Sequence, residues 1–139
     1  MAYINNMVKP GLILLLLAAS CSSNKIDVTG NYKSMVPTID GFFNNYPTGS
    51  AITINNDKSF KREDCAQITK GHWEVKGDSL YLYCDEIRFI IDSLNSNPKF
   101  KNGTICGTKP EVFYIDKNVL KRRQINRDGS TFKDYLKKQ

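Results

Sequence analysis

The sequence has a single histidine, His72, among its 139 residues. Any Ser–His or Cys–His catalytic scheme would depend on it, and neither a Gly-x-Ser-x-Gly elbow nor a phosphate-binding glycine loop accompanies it. The acidic pairs Glu63–Asp64 and Asp85–Glu86 offer no substitute, because adjacent residues of a strand point to opposite faces and would not converge on one substrate. We therefore expect a protein that is not an enzyme.

Closely spaced metal ligands are also missing. Structural zinc sites usually present ligands two to four residues apart, and no two of the four cysteines and His72 are that close. We expect neither a metal nor another cofactor. The alternation of side chains places His72 opposite Trp73, which predicts an exposed histidine on the outer wall of a sheet.

Long apolar runs are absent except for one near the N-terminus. Residues 12–19 follow the positive charge of Lys9 and contain only Leu, Ile and Ala. A transmembrane helix needs about 20 apolar residues, so this run has the length of a signal-peptide core instead. Residues 18–21, Ala-Ala-Ser-Cys, resemble the lipobox at which lipoprotein signal peptides are cut, so residues 1–20 are predicted to be removed and Cys21 to carry lipid. A plain secretory signal and a buried helix are the alternatives, and Met7 is an alternative start.

Two acyl chains on Cys21 would hold the protein stably on a membrane without any transmembrane helix. Residues 21–25, Cys-Ser-Ser-Asn-Lys, resemble the start of small lipoproteins of the Bacteroidota, some of which use acidic residues after the cysteine for transport to the cell surface. Here the first acid is Asp27. We therefore expect an outer-membrane lipoprotein that faces the periplasm and has no nucleic-acid partner.

After a short tether at residues 21–27, the pattern is β throughout residues 28–139. Short runs rich in Val, Ile, Tyr and Phe alternate with turn residues, and no long segment has helical periodicity. The pattern predicts an all-β antiparallel meander that forms a small barrel of eight or nine strands. The predicted strands cover residues 28–35, 51–55, 59–64, 71–76, 79–84, 87–92, 111–115, 119–124 and 131–137.

Residues 30–83 also resemble the lipocalin-like lipoproteins of Bacteroidota, a largely uncharacterised group. The shared pattern is a Gly-x-Tyr opening strand, an Asp turn followed by Phe, then Gly-x-Trp, Gly-Asp and Leu-x-Leu. Its pieces here are Gly30/Tyr32, Ile52/Ile54, Asp57/Phe60, Gly71/Trp73, Gly77/Asp78 and Leu80/Leu82. The resemblance implies a lipocalin-like barrel and carries no activity with it.

Three cysteines, Cys65, Cys84 and Cys106, remain after Cys21, and an oxidising periplasm favours a disulfide. In a nine-strand meander, Cys65 and Cys84 end alternate strands and so lie at the same end of the barrel, whereas Cys106 lies in a loop at the other end. This predicts a Cys65–Cys84 disulfide, with Cys84–Cys106 as the alternative.

Two functions fit the pattern. In the first, the barrel binds a small apolar or amphipathic ligand through Phe42, Phe43, Tyr46 and Trp73, with residues 37–49 as a lid over the mouth. In the second, the protein is a structural lipoprotein that engages another envelope protein through its loops or its basic C-terminal strands. Residues 109–139 carry 9 basic and 4 acidic side chains, and the rest of the chain after residue 20 is balanced.

Overall fold

Eight antiparallel strands close into a barrel in the computed structural model, which describes residues 26–35, 49–125, 129 and 131–139. Each strand pairs with the next along the chain, and the last strand returns to pair with the first. The all-β antiparallel meander barrel predicted from the sequence is therefore confirmed. The strands are β1 Gly30–Ser34, β2 Ala51–Ile54, β3 Ser59–Glu63, β4 Gln67–Lys76, β5 Ser79–Phe89, β6 Glu111–Asp116, β7 Val119–Ile125 and β8 Thr131–Lys138.

The two ends of the barrel differ in how the strands are joined. At the turn end, tight turns at residues 55–58, 77–78 and 117–118 connect neighbouring strands. Gly77 has a φ of +60° in one of these turns, a conformation that costs glycine little. The loop end carries the 64–66 turn and the 90–110 connection, and β1 and β7 end there.

One long strand replaces two predicted ones. The predicted strands 79–84 and 87–92 are a single strand, β5, whose pairing with β4 shifts by one residue at a β-bulge beside Lys70 and Gly71. A short helix, α1 Asp92–Asn95, and a 3-10 helix, Pro98–Thr104, follow in the connection to β6. Five strands precede this connection, whereas the sequence predicted six. The connection therefore lies at the loop end.

Apolar side chains from all eight strands fill the interior, as the alternation predicted. Val28 lies before β1 and is buried against these side chains. The Tyr32 hydroxyl donates a hydrogen bond to the carbonyl oxygen of Val28 at 2.9 Å. This contact fixes the N-terminal segment 26–29 at the turn end. The buried apolar residues are Val28, Tyr32, Ile52, Ile54, Phe60, Trp73, Leu80, Leu82, Phe113, Ile115, Leu120 and Leu136.

The disulfide joins Cys84 to Cys106, with 5.5 Å between the two Cα atoms, so the predicted Cys65–Cys84 pairing is wrong. The continuous β5 explains the error. With eight strands instead of nine, Cys106 lies at the same end of the barrel as Cys84, and the 90–110 connection folds back along β5. Cys65 lies exposed in the 64–66 turn, outside this disulfide.

Candidate functional site

Trp73 is the one predicted ligand-binding residue within the described part of the chain, and it lies at the turn end. Its indole Nε1 donates to the carbonyl oxygen of Asn55 at 3.0 Å, and the Lys58 ammonium stands 3.7 Å from the ring centroid. Phe42, Phe43, Tyr46 and Cys21 lie outside the described residues. β1 ends and β2 begins at the opposite end of the barrel from Trp73.

A cavity of about 210 Å³ adjoins Trp73 at the turn end. Its walls are the 26–29 segment, Asn56, Lys58 and one face of the indole.

A second cavity, of about 130 Å³, lies at the loop end and is here called the loop-end cavity. Its apolar walls come from Phe60, Leu82, Ile87 and the disulfide-bonded Cys84, and Thr69 also lines it. Residues 107–109 cover it, held in place through the neighbouring Cys106. Arg62 and Glu111 also line this cavity and contribute its charged groups.

Two arginines and three carboxylates form a connected cluster inside the loop end. Arg62 donates through Nε to Asp64 at 3.0 Å and through Nη1 to Glu111. Arg122 places Nη1 2.8 Å from Glu111 and Nη2 3.1 Å from Asp134. Asp134 also lies 3.8 Å from Nη2 of Arg62, which closes the ring of alternating charges.

Burial and charge oppose each other in this cluster. Desolvation raises the pKa of Asp134 and outweighs the attraction of Arg122 and Arg62, which lowers it. For Arg62, desolvation lowers the pKa, but Glu111, Asp64 and Asp134 together raise it above its ordinary value. Asp134 Oδ1 has no hydrogen-bond partner among the described residues. Burial therefore makes the charged form of Asp134 costly, whereas the neighbouring carboxylates favour the charged form of Arg62.

The sequence interpretation overlooked this cluster, although the alternation contained the signal. Asp134 falls on the same face of its strand as Leu136, Arg122 falls with Leu120, and Arg62 falls with Phe60. Arg122 was counted as part of a basic outer surface, and its guanidinium instead lies inside the barrel, 5.1 Å from the centroid of the Phe113 ring. Charged residues at inward-facing positions of a strand are the sequence feature that indicates such a cluster.

His72 lies exposed on the outer wall, as predicted. Its ring stacks on Tyr83 with centroids 5.0 Å apart, and Nδ1 lies 3.0 Å from a carboxylate oxygen of Asp85. The Tyr83 hydroxyl donates to Glu74, which raises the pKa of the phenol. These groups decorate a solvated sheet surface and frame no cavity among the described residues.

In the described part of the chain, no three His, Cys, Asp or Glu side chains are grouped so that they could hold a metal ion. No described helix is long and apolar enough to cross a membrane. The fold and the site together define a closed eight-stranded antiparallel barrel with a small amphipathic cavity at one end. Comparison of the chain with protein families, with curated proteins and with solved structures finds no match.

Proposed function

We propose that this protein is a lipid-anchored binding module of the cell envelope that holds a small amphipathic ligand in the loop-end cavity. The observation that carries the proposal is the cavity itself, which combines apolar walls with the charged groups of Arg62 and Glu111. Ligand sites in proteins have this composition, a mostly apolar lining with a few placed polar groups. A dry cavity of about 150 Å³ holds benzene, so the loop-end cavity suits a single ring or a short chain.

The cost of the charged cluster supports a role in binding. Each buried ion loses several kcal/mol of hydration, and well-packed apolar residues often replace buried ion pairs with no loss of stability. Inward Leu or Met side chains at positions 62 and 122 would fill the barrel interior without this loss of hydration. A buried charged cluster next to a cavity is therefore better explained by recognition of a ligand than by stability.

An anchor on Cys21 would place this cavity on the side away from the membrane. The N-terminal segment 26–29 lies at the turn end, and Cys21 is five residues before Ile26, a reach of at most about 18 Å. A lipid on Cys21 would keep the turn end near the bilayer and leave the loop end open to the periplasm. The proposed location is the periplasmic face of the outer membrane.

The binding proposal is tested by native mass spectrometry of the protein purified after export of the full chain. We expect a non-covalent mass of less than about 200 Da on the wild type, in keeping with the size of the cavity. Ile87→Phe fills the cavity and should remove this mass. Val112→Phe is the matched control, because Val112 faces outward on β6 and should leave the mass in place. Loss in both variants, or retention in both, contradicts the proposed site.

The anchor is tested by growth with an alkyne analogue of palmitate, followed by coupling of the purified protein to a fluorophore. We expect labelling of the wild type and none of Cys21→Ala. Labelling that survives this substitution would contradict lipidation at Cys21.

The second candidate function is an interaction with another envelope protein. The observation that favours it is a group of exposed apolar side chains beside the loop end and on the outer face of β6: Ile90, Ile91, Ile105, Val112 and Tyr114. Exposed apolar side chains that together form a large surface often mark a protein contact. Photo-crosslinking from position 105 in intact cells should capture one partner if this function is correct, and a control position on β4, Lys70, should not.

A further inference from the structure

The two inward arginines approach one point from opposite sides of the barrel. Arg62 lies on β3 and Arg122 on β7, four strands apart in the closed sheet. Their side chains are 7% and 10% exposed, so both guanidinium groups are largely out of water. The Nη1 atoms of both arginines contact the same oxygen, Oε2 of Glu111.

The two carboxylates that bridge the arginines are not equivalent. Asp134 is fully buried, accepts a hydrogen bond from Nη2 of Arg122 at 3.1 Å and lies 3.8 Å from Nη2 of Arg62. The Glu111 side chain is 46% exposed and lines the loop-end cavity as the first residue of β6. It can turn toward solvent without moving the strand, whereas Asp134 cannot. Glu111 is therefore the exchangeable member of the ring.

We propose that the Glu111 carboxylate occupies the head-group position of the binding site, and that the ligand is a small amphiphile with one anionic head group that displaces it. The inference rests on the proposed function and specifies its ligand. A ligand carboxylate would take over the two Nη1 donors, and its apolar part would lie against Phe60, Leu82 and Ile87.

Charge favours an anion over a cation at this point. Exchange of one carboxylate for another leaves the net charge of the cluster unchanged and keeps both buried arginines paired. A cationic head group would meet two guanidinium groups at short range. Lys109, which lines the cavity, adds attraction for anions from solution, as does the net positive charge that remains when Lys9 is removed with residues 1–20.

The test uses three probes: benzoate, neutral benzyl alcohol, and inorganic phosphate. The protein is produced by export of the full chain and held in nanodiscs of a zwitterionic lipid, and saturation-transfer NMR gives each dissociation constant. We expect benzoate to bind and benzyl alcohol to bind at least about tenfold more weakly, because it cannot form charge-assisted hydrogen bonds with the arginines.

Removal of the internal competitor should strengthen binding. Glu111→Gln is expected to tighten benzoate binding about two- to fivefold, which is the worth of a half-exposed ion pair expressed as an affinity. Glu63→Gln is the matched control on β3, since Glu63 faces outward and pairs with Lys61, and it should leave the affinity unchanged. Equal affinities in Glu111→Gln and wild type would overturn the proposal.

A measurement on the wild type covers the case in which Glu111→Gln folds poorly. The ¹³C shift of the Glu111 carboxyl carbon should move toward the value of a solvated glutamate as benzoate saturates the site, and a static shift would overturn the proposal. Equal binding of benzyl alcohol and benzoate would refute the anionic head group and leave the proposed binding function intact. Binding of phosphate with no binding of benzoate would exclude the apolar part of the ligand and contradict both.

Discussion

Opening of the Cys84–Cys106 disulfide should weaken both the barrel and its cavity. The bond closes a loop of 22 residues between β5 and the cover of the loop-end cavity. Chain entropy alone then gives a loss of about 3 kcal/mol when the loop is opened. For a domain of this size, that loss lowers the melting temperature by roughly 10 °C.

Thermal unfolding followed by far-UV circular dichroism, with and without a reducing agent, measures this effect. We expect the Cys84→Ala/Cys106→Ala double variant to melt at the lower temperature in both conditions. Cys65→Ser is the matched control and should keep the full difference between oxidised and reduced protein. A Cys65→Ser variant that becomes insensitive to reduction would refute the pairing, because Cys65 would then take part in the stabilising bond.

Three further substitutions test other parts of the structure. Tyr32→Phe removes the hydrogen bond to Val28 and should cost about 1 kcal/mol in urea unfolding, with faster amide exchange in β1; unchanged exchange would contradict the contact. Gly71→Ala places a Cβ 1.8 Å from the carbonyl oxygen of Tyr83 and should cost about 3 kcal/mol or more; a variant of normal stability would contradict this close approach. Asp134 has a raised pKa in the folded state, so its contribution to stability is present below the unfolded value of 3.8 and is lost as the pH rises through the higher folded value. Wild type should therefore gain stability relative to Asp134→Asn between pH 7 and pH 4, and a relative loss would contradict the raised pKa.

The strand alternation predicts most of the barrel, and it fails at the β-bulge in β5. Leu80, Leu82 and Cys84 share one face of this strand, whereas Ile87, beyond the bulge, lines the cavity from an odd-numbered position. A one-residue shift of this kind reverses the parity of every later side chain, so the sequence pattern reads as the end of one strand and the start of another. The wrong disulfide follows directly from that extra strand.

The site is harder to predict than the fold, because the sequence feature that most suggests a ligand site is its aromatic residues. An aromatic side chain such as Trp73 is a typical ligand contact. Its indole, however, already donates a hydrogen bond to Asn55 and packs under the Lys58 ammonium at the turn end. The alternation of side chains along each strand does predict inward positions for Arg62, Arg122 and Asp134. Their meeting at one point requires the closure of β1 on β8, which brings distant strands around a common interior and which no local pattern reveals.

Amide chemical-shift mapping with benzoate tests most directly the claim that the loop end is the binding end. The account predicts shifts centred on Phe60, Arg62, Leu82 and Glu111, and an unchanged indole signal from Trp73, the only tryptophan in the chain. Shifts centred on Trp73 and Lys58, with none around Glu111, would place the ligand at the turn end and contradict it.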